Sequence, residues 1–257
     1  MCVDCGCEHD GRLRTPAARA AQGGVPRVKT TTRRVTVEAG VLAKNDRRAA
    51  ENRALLAARG VLALNLLSSP GAGKTTLLER TIKDVGAELG IAVIEGDQAT
   101  DNDAARIRAA GCRAVQINTG TGCHLDAEMV ARGVAELDPG PGSTLLIENV
   151  GNLVCPALFD LGEQQKVVVA SVTDGEDKPL KYPHMFRAAG LIVLNKVDLL
   201  PHVDFDVARF VECARRVNAA APLLQVSATR GTGLAAWYDW LRAAAARARA
   251  GAEAPRG

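Results

Sequence analysis

The sequence lacks any apolar run approaching the ~18 residues that a membrane-spanning helix requires, and its polar first residues do not make a secretory leader. A cytoplasmic protein without membrane contact is therefore expected. An even cysteine set is also missing: seven cysteines stand at 2, 5, 7, 112, 123, 155 and 213. An odd count in such a chain argues against a disulfide framework and for metal or redox use. The first 34 residues carry a net charge of +4, leaving −1 for the remainder of a chain whose total is +3. That basic stretch has no aromatic residue on which a base could stack, so a nucleic-acid partner is not expected. There is no internal repeat.

What the chain has is one substantial core, with 47% hydrophobic residues in 257. Strand-like runs at 62–67, 91–95, 114–117, 144–148, 166–172, 190–194 and 223–226 alternate with helical stretches. This pattern predicts an α/β fold, a mostly parallel sheet with helices on both faces. The continuous apolar character of 62–67 and 190–194 suits strands buried on both sides. An Ala-rich helix is expected over 38–59, ended by Gly60. The organisation predicted is a cysteine-rich tip at 1–10, a flexible basic linker at 11–37, a globular domain at 38–250 and a disordered tail at 251–257.

Between the first strand and a helix lies Ser68-Ser69-Pro70-Gly71-Ala72-Gly73-Lys74-Thr75-Thr76. It follows the phosphate-loop pattern except that Ser68 stands at the first glycine. Gly71 and Gly73 can adopt the positive φ that turns N–H groups of Gly71, Ala72, Gly73, Lys74, Thr75 and Thr76 toward phosphate. Lys74 would reach the β- and γ-phosphates, and Thr75 would ligate Mg²⁺. Asn195-Lys196-Val197-Asp198 ends another strand run. There Asp198 would accept from the guanine ring N–H and amino group, Asn195 would brace the loop, and the Lys196 stem would cover the base. Ser227-Ala228 follows a further strand, completing the set expected of a GTP-binding site. Glu148, at the end of the strand before Asn149-Val150-Gly151, and Asp97 are candidate Mg²⁺ or water ligands. Gly151 is placed to sense the γ-phosphate. Lys74, Asp97 and Glu148 are the expected catalytic residues. Asn152 rather than glutamine follows Gly151, so no water-positioning side chain is identifiable and intrinsic hydrolysis should be slow.

Cys2, Cys5 and Cys7 place three thiols within six residues, with Gly6 allowing a tight turn. If Met1 is removed, the α-amino group of Cys2 could add a fourth donor. Such a set suits tetrahedral Zn²⁺ or square-planar Ni²⁺, and the ligand types do not choose between them. A reactive, metal-free tail is the alternative. Cys123-His124 follows a glycine-rich loop, and Cys155 lies seven residues beyond Glu148. In a parallel sheet both loops emerge at the nucleotide edge, so Cys123, His124 and Cys155 can meet there. Three donors leave a tetrahedron incomplete, and a two-fold dimer would complete a shared site. The alternative is that Cys123 and Cys155 only pack and His124 caps a helix. Cys112 and Cys213 are expected to be packing residues.

Taken together, the chain resembles the hydrogenase nickel-incorporation GTPases, the HypB family. The matching residues are Cys2-x-x-Cys5-Gly6-Cys7, the loop from Ser68 to Thr76, Glu95-Gly96-Asp97-Gln98 and Asn118-Thr119-Gly120 with Gly122-Cys123-His124-Leu125. To these are added Glu148-Asn149-Val150-Gly151-Asn152-Leu153-Val154-Cys155-Pro156 and Asp177-Lys178-Pro179-Leu180-Lys181-Tyr182-Pro183. The resemblance implies a SIMIBI-class GTPase that dimerises with GTP and hands nickel to the precursor of a nickel–iron hydrogenase large subunit. A small zinc- and nickel-binding accessory protein, HypA, is the implied partner. By motif match, Cys2, Cys5 and Cys7 would form a tight nickel site, and Cys123, His124 and Cys155 a weaker one. Only His9 lies in the N-terminal region, against the histidine-rich stretch by which some relatives store nickel. A urease-nickel GTPase, a metal buffer or storage protein with a regulatory nucleotide site, and a P-loop kinase are the rival readings.

Overall fold

The computed structural model describes the backbone of residues 31–97, 102–120, 122 and 124–253. Cys2, Cys5 and Cys7, the expected linker as far as residue 30, Cys123 and residues 254–257 lie outside the described residues. The chain divides into two units, Met1–Val37 and Glu38–Gly257. Of the first, only the opening of helix α1 (Thr31–Ala58) is described. This helix starts earlier than the Ala-rich stretch and within the segment read as linker. No glycine or proline stands between Pro26 and Gly40 to stop it. Helix α9 (Leu234–Glu253) likewise runs past residue 250, through an alanine- and arginine-rich sequence of strong helix formers.

The second unit is built on seven strands: β1 (Leu62–Ser68), β2 (Ile91–Asp97), β3 (Arg113–Asn118), β4 (Thr144–Glu148), β5 (Gln165–Ser171), β6 (Ala189–Asn195) and β7 (Leu223–Gln225). They lie in the order β3-β2-β4-β1-β5-β6-β7, and every pairing is parallel. Helices cover both faces, as the alternation of strand and helix predicted. The pleat sorts β1 by parity. Leu62, Leu64 and Leu66 join the cluster holding Leu77, Leu78 and Ile82 of α2 (Lys74–Leu89) with Trp237 and Leu241 of α9. On the other face, Ala63 packs with Leu56 of α1 and with Val130 and Val134 of α4 (Ala127–Leu137), and Leu67 with Phe210 of α8 (Val207–Val217). Among the described residues no helix is long and apolar enough to cross a membrane.

Parallel strands finish at one edge, so Ser68, Asp97, Asn118, Glu148, Ser171 and Asn195 all deliver the chain there. Helix α2 starts at that edge and is fixed from behind. Trp237 Nε1 donates to Thr81 Oγ1 at 2.9 Å, and the Tyr238 hydroxyl donates to Asp84 at 2.7 Å.

Candidate functional site

The loop from Ser68 to Thr76 wraps the N-terminus of α2 and lines a cleft of about 530 Å³, closed by Glu95, Asp97, Asp103, Arg106, Glu148, Gly151 and Lys196. Gly71 and Gly73 take φ of 76° and 89°, the left-handed region that glycine enters without strain. Gly73 is confined a second way, because a Cβ there would stand 2.6 Å from Asn195 Nδ2. The first N–H groups of α2 have no helical acceptors and face the cleft, an arrangement suited to an anion.

Lys74 lies buried beneath the loop. Its Nζ is 3.0 Å from Glu148 Oε1 and donates to the Asn149 carbonyl at 2.5 Å. Thr75 Oγ1 donates to the same Glu148 oxygen at 2.7 Å. Strand register sets Glu95 of β2 directly beside Glu148 of β4. Burial, and then the charge of Glu148, pushes the Glu95 carboxyl up to about 10. Oε2 of both glutamates is buried without a hydrogen-bond partner. The orphaned oxygen of the Glu148 carboxylate, with that of the neutral Glu95 carboxyl and the threonine hydroxyl beside it, forms a hard-oxygen donor set that fits Mg²⁺. Thr75 and Glu148 are the residues that would hold the ion, with Asp97 and Glu95 of β2 lining the same cleft. It would neutralise charge on the β- and γ-phosphates when bound.

Glu95 was quoted from sequence only as part of the run Glu95-Gly96-Asp97-Gln98 and given no role, although it stands two before Asp97 and so on the same face of β2. Lys178 was likewise quoted only within its matching run, and Asp174 was missed. The buried Lys178 donates to Ser69 Oγ at 2.8 Å and pairs with Asp174 at 2.7 Å, holding the phosphate loop from the β5 side. Their i,i+4 spacing just after a strand end was the available signal.

At the other end of the cleft, Asn195 Nδ2 donates to the Ala72 carbonyl at 3.0 Å, and its Oδ1 accepts from the Ala228 N–H at 3.1 Å. One side chain thus joins the phosphate loop, β6 and the Ser227-Ala228 turn. Ser227 Oγ accepts from the Arg230 N–H at 3.0 Å, keeping that turn tight. Lys196 has φ of 64°, and its Nζ donates to the Gly71 carbonyl at 2.7 Å, drawing its stem across the loop. Asp198 Oδ1 is buried with no partner among the described residues, an acceptor of the kind guanine's two N–H groups require. Gly151 backs onto Pro70, where an added Cβ would meet Pro70 Cα at 3.3 Å.

The expected metal residues are less closed. His124 is half-buried and packs against Phe159, with ring centroids 3.9 Å apart and the rings tilted by 35°. Burial lowers its pKa, opposed by Asp126, which favours the neutral imidazole that binds metals. It does not cap α4; Asp126 does, accepting from the Met129 N–H at 2.7 Å. Cys155 is a free thiol, partly exposed, at the start of the short helix α5 (Cys155–Leu158). Among the described residues no three His, Cys, Asp or Glu side chains converge as a metal site. Cys123, the third member of the expected set, is outside them. Cys112 and Cys213 are buried free thiols.

One residue spans both regions. Asn149 gives its carbonyl to Lys74, while its Oδ1 accepts from the Leu125 N–H, next to His124, at 3.1 Å. Its Nδ2 donates to Asn65 Oδ1 at 3.3 Å, and Asn65 donates on to Glu163 at 3.2 Å.

The parallel sheet, the phosphate loop at the end of its central strand and the acid on the adjacent strand define a nucleotide-binding protein of the P-loop GTPase class. The sequence matches the CobW/HypB/UreG nucleotide-binding domain over residues 62–225. A hydrogenase maturation factor HypB from Rhizobium leguminosarum bv. viciae is 62% identical over 213 residues, spanning 83% of this chain and 71% of that protein. The crystal structure of HypB from Archaeoglobus fulgidus superposes with a TM-score of 0.74 at 42% identity, covering 79% of this chain and all of that one. A structure of HypB from Helicobacter pylori in complex with nickel superposes equally well, with a TM-score of 0.74 at 37% identity, covering 79% of this chain and 96% of that chain. The chain belongs to the HypB hydrogenase maturation factors of the CobW/HypB/UreG family.

Proposed function

We propose that this protein is a GTP-hydrolysing nickel metallochaperone that delivers Ni²⁺ to the large-subunit precursor of a nickel–iron hydrogenase. GTP and Mg²⁺ engage Lys74, Thr75, Asp97 and Glu148, with Asp198 reading guanine and Asn195 joining the base and phosphate ends of the cleft. Cys123, His124 and Cys155 take the metal near the phosphates, as Ni²⁺ or Zn²⁺, and Cys2, Cys5 and Cys7 hold it at the tip. A GTP-dependent homodimer would complete the three-donor set. A small HypA-like protein is the expected companion in a cytoplasmic reaction, and intrinsic hydrolysis is slow.

The observation that carries this reading is Asn149. Phosphate arriving at Lys74 competes with Asn149 and Glu148 for the ammonium, and whatever moves Asn149 moves the amide acceptor beside His124. Nucleotide state and metal geometry are thereby linked, and linkage is reciprocal: metal bound near His124 must alter nucleotide affinity by the same free energy. Titration of the reduced protein with Ni²⁺ and with Zn²⁺, in GDP and in a non-hydrolysable GTP analogue, tests it. Two classes of site, the weaker responding to nucleotide, are expected. A single class indifferent to nucleotide would leave a metal-binding tail on an independent GTPase.

A further inference from the structure

Helix α1 buries a stripe that is not simply apolar. Asn45, Ala49, Asn52 and Leu56 recur at i, i+4, i+7 and i+11, and all four are buried. Neither buried asparagine bonds within its own helix; both reach loops far away in sequence. Asn45 Nδ2 donates to the Asp160 carbonyl at 2.8 Å, and its Oδ1 accepts from the Ala127 N–H at 2.9 Å. Asn52 Nδ2 donates to the Ala127 carbonyl at 2.8 Å and to the Leu161 carbonyl at 3.0 Å.

Those partners fall in two places. Ala127 opens α4, three residues after His124. Asp160 and Leu161 follow α5, which begins at Cys155. Each asparagine therefore ties one segment to the other through a single rigid side chain, two turns apart on one helix. Contact is closest at Gly162, whose φ is 93° and where an added Cβ would stand 2.6 Å from both the Ala49 carbonyl oxygen and Asn52 Cβ. Arg53 adds an outer clasp, pairing with Asp160 at 2.6 Å.

We propose that Asn45 and Asn52 are positioning residues of the domain metal site, a brace on α1 that sets the spacing between the His124 loop and the Cys155 loop. This rests on the reading of His124 and Cys155 as nickel ligands. Neither asparagine touches metal or nucleotide. They act as outer-shell groups do, by fixing the backbone from which ligands project. Because each joins the two segments, removing either releases both at once.

The test uses the full chain, reduced, with Asn52→Ala and Asn45→Ala as variants. Leu241→Ala on α9 serves as a control that loosens the unit from the other face of the sheet, in a cluster that holds no residue of either segment. Hydrogen exchange should accelerate together in residues 124–127 and 159–163 in both asparagine variants. In Ni²⁺ titrations followed by thiolate-to-nickel absorption, the weaker class should lose about tenfold in affinity. GTP affinity should hold, and Leu241→Ala should lower the melting temperature without moving the weaker class. Exchange that rises in one segment only, or a weaker class unmoved by Asn52→Ala and Asn45→Ala, overturns the brace alone. A wild-type chain with no weaker class at all overturns both the function proposed above and the brace.

Discussion

The two ends of the Asn149 network are built differently. On the phosphate side, each expected residue with described side-chain bonds is held by others of the same unit: Lys74 by Glu148 and Asn149, Asn195 by Ala72 and Ala228, Ser69 by Lys178. On the metal side, His124 leans on a phenylalanine and Cys155 starts a four-residue helix. A nucleotide site needs preorganised N–H groups, which one chain can supply through the geometry of a strand, a loop and a helix. A site that must both take up and release an ion gains from ligands whose spacing can change. The comparison teaches that the nucleotide cleft is preorganised within this unit, while the proposed metal site depends on how its loops are held.

The sharpest way to break that comparison is at Gly73. Gly73→Ala forces an L side chain into left-handed backbone, costing ~1–2 kcal/mol. It also drives a methyl group against Asn195 Nδ2, at 2.6 Å from the added Cβ. Displacing a packed neighbour adds ~1–3 kcal/mol. GTP affinity should fall by about a hundredfold or more, measured by fluorescent-nucleotide titration. Retained affinity would mean the loop is not preorganised as described. Asp198→Asn asks the same of the base end. It removes an anionic acceptor and leaves an amide that can donate, at a charged hydrogen bond's worth of ~1.5–3 kcal/mol, so GTP weakens by about ten- to a hundredfold. Xanthine nucleotide, whose ring presents a carbonyl in place of guanine's amino group, should gain. Equal loss of both nucleotides would show that Asp198 only supports the loop.

Cys155→Ala addresses the metal side alone. GTP binding should be unchanged, and the difference in weaker-class nickel affinity between GDP and GTP-analogue states should vanish. For coupled sites such a difference is about 5–150-fold. If metal affinity still tracked nucleotide in this variant, the coupling would run by another route.

How much of this was legible differs between the same two regions. The inner strands could be read because buried parallel strands are continuous apolar runs, with β1 as the clearest case at Leu62–Ser68, and the partly exposed edge strands β3 and β7 by their place in the alternation. The phosphate loop and the guanine segment could be read because glycine, lysine and aspartate do chemistry there that few other residues can. Glu95 was named without a role because that role comes from the register that sets it beside Glu148, and register is a tertiary fact. Asn45, Asn52 and Asn65 gave no signal, since an asparagine in a helix or strand reads as a surface residue until its distant partners are known. The start of α1 was placed late because a basic stretch reads as a linker, although no helix breaker stands between Pro26 and Gly40.

The smallest effect expected separates the scaffold from both sites. Helix α2 begins in the phosphate loop, yet its buried polar anchor is two turns away, where Trp237 Nε1 donates to a fully buried Thr81 hydroxyl. Thr81→Val keeps the shape and removes the acceptor, leaving a buried indole N–H unpaired at a cost of ~1–3 kcal/mol. For a unit of this size each kcal/mol lowers the melting temperature by about 2–4 °C. GTP affinity should stay within about twofold, because Gly73, Lys74 and Asn195 are fixed by bonds of their own at the strand ends. A melting shift with unchanged nucleotide binding would place the preorganisation in the loop and its immediate partners. A parallel loss of GTP affinity would instead make it a property of how α2 is seated on α9. The phosphate end would then depend on distant packing as much as the metal end depends on α1.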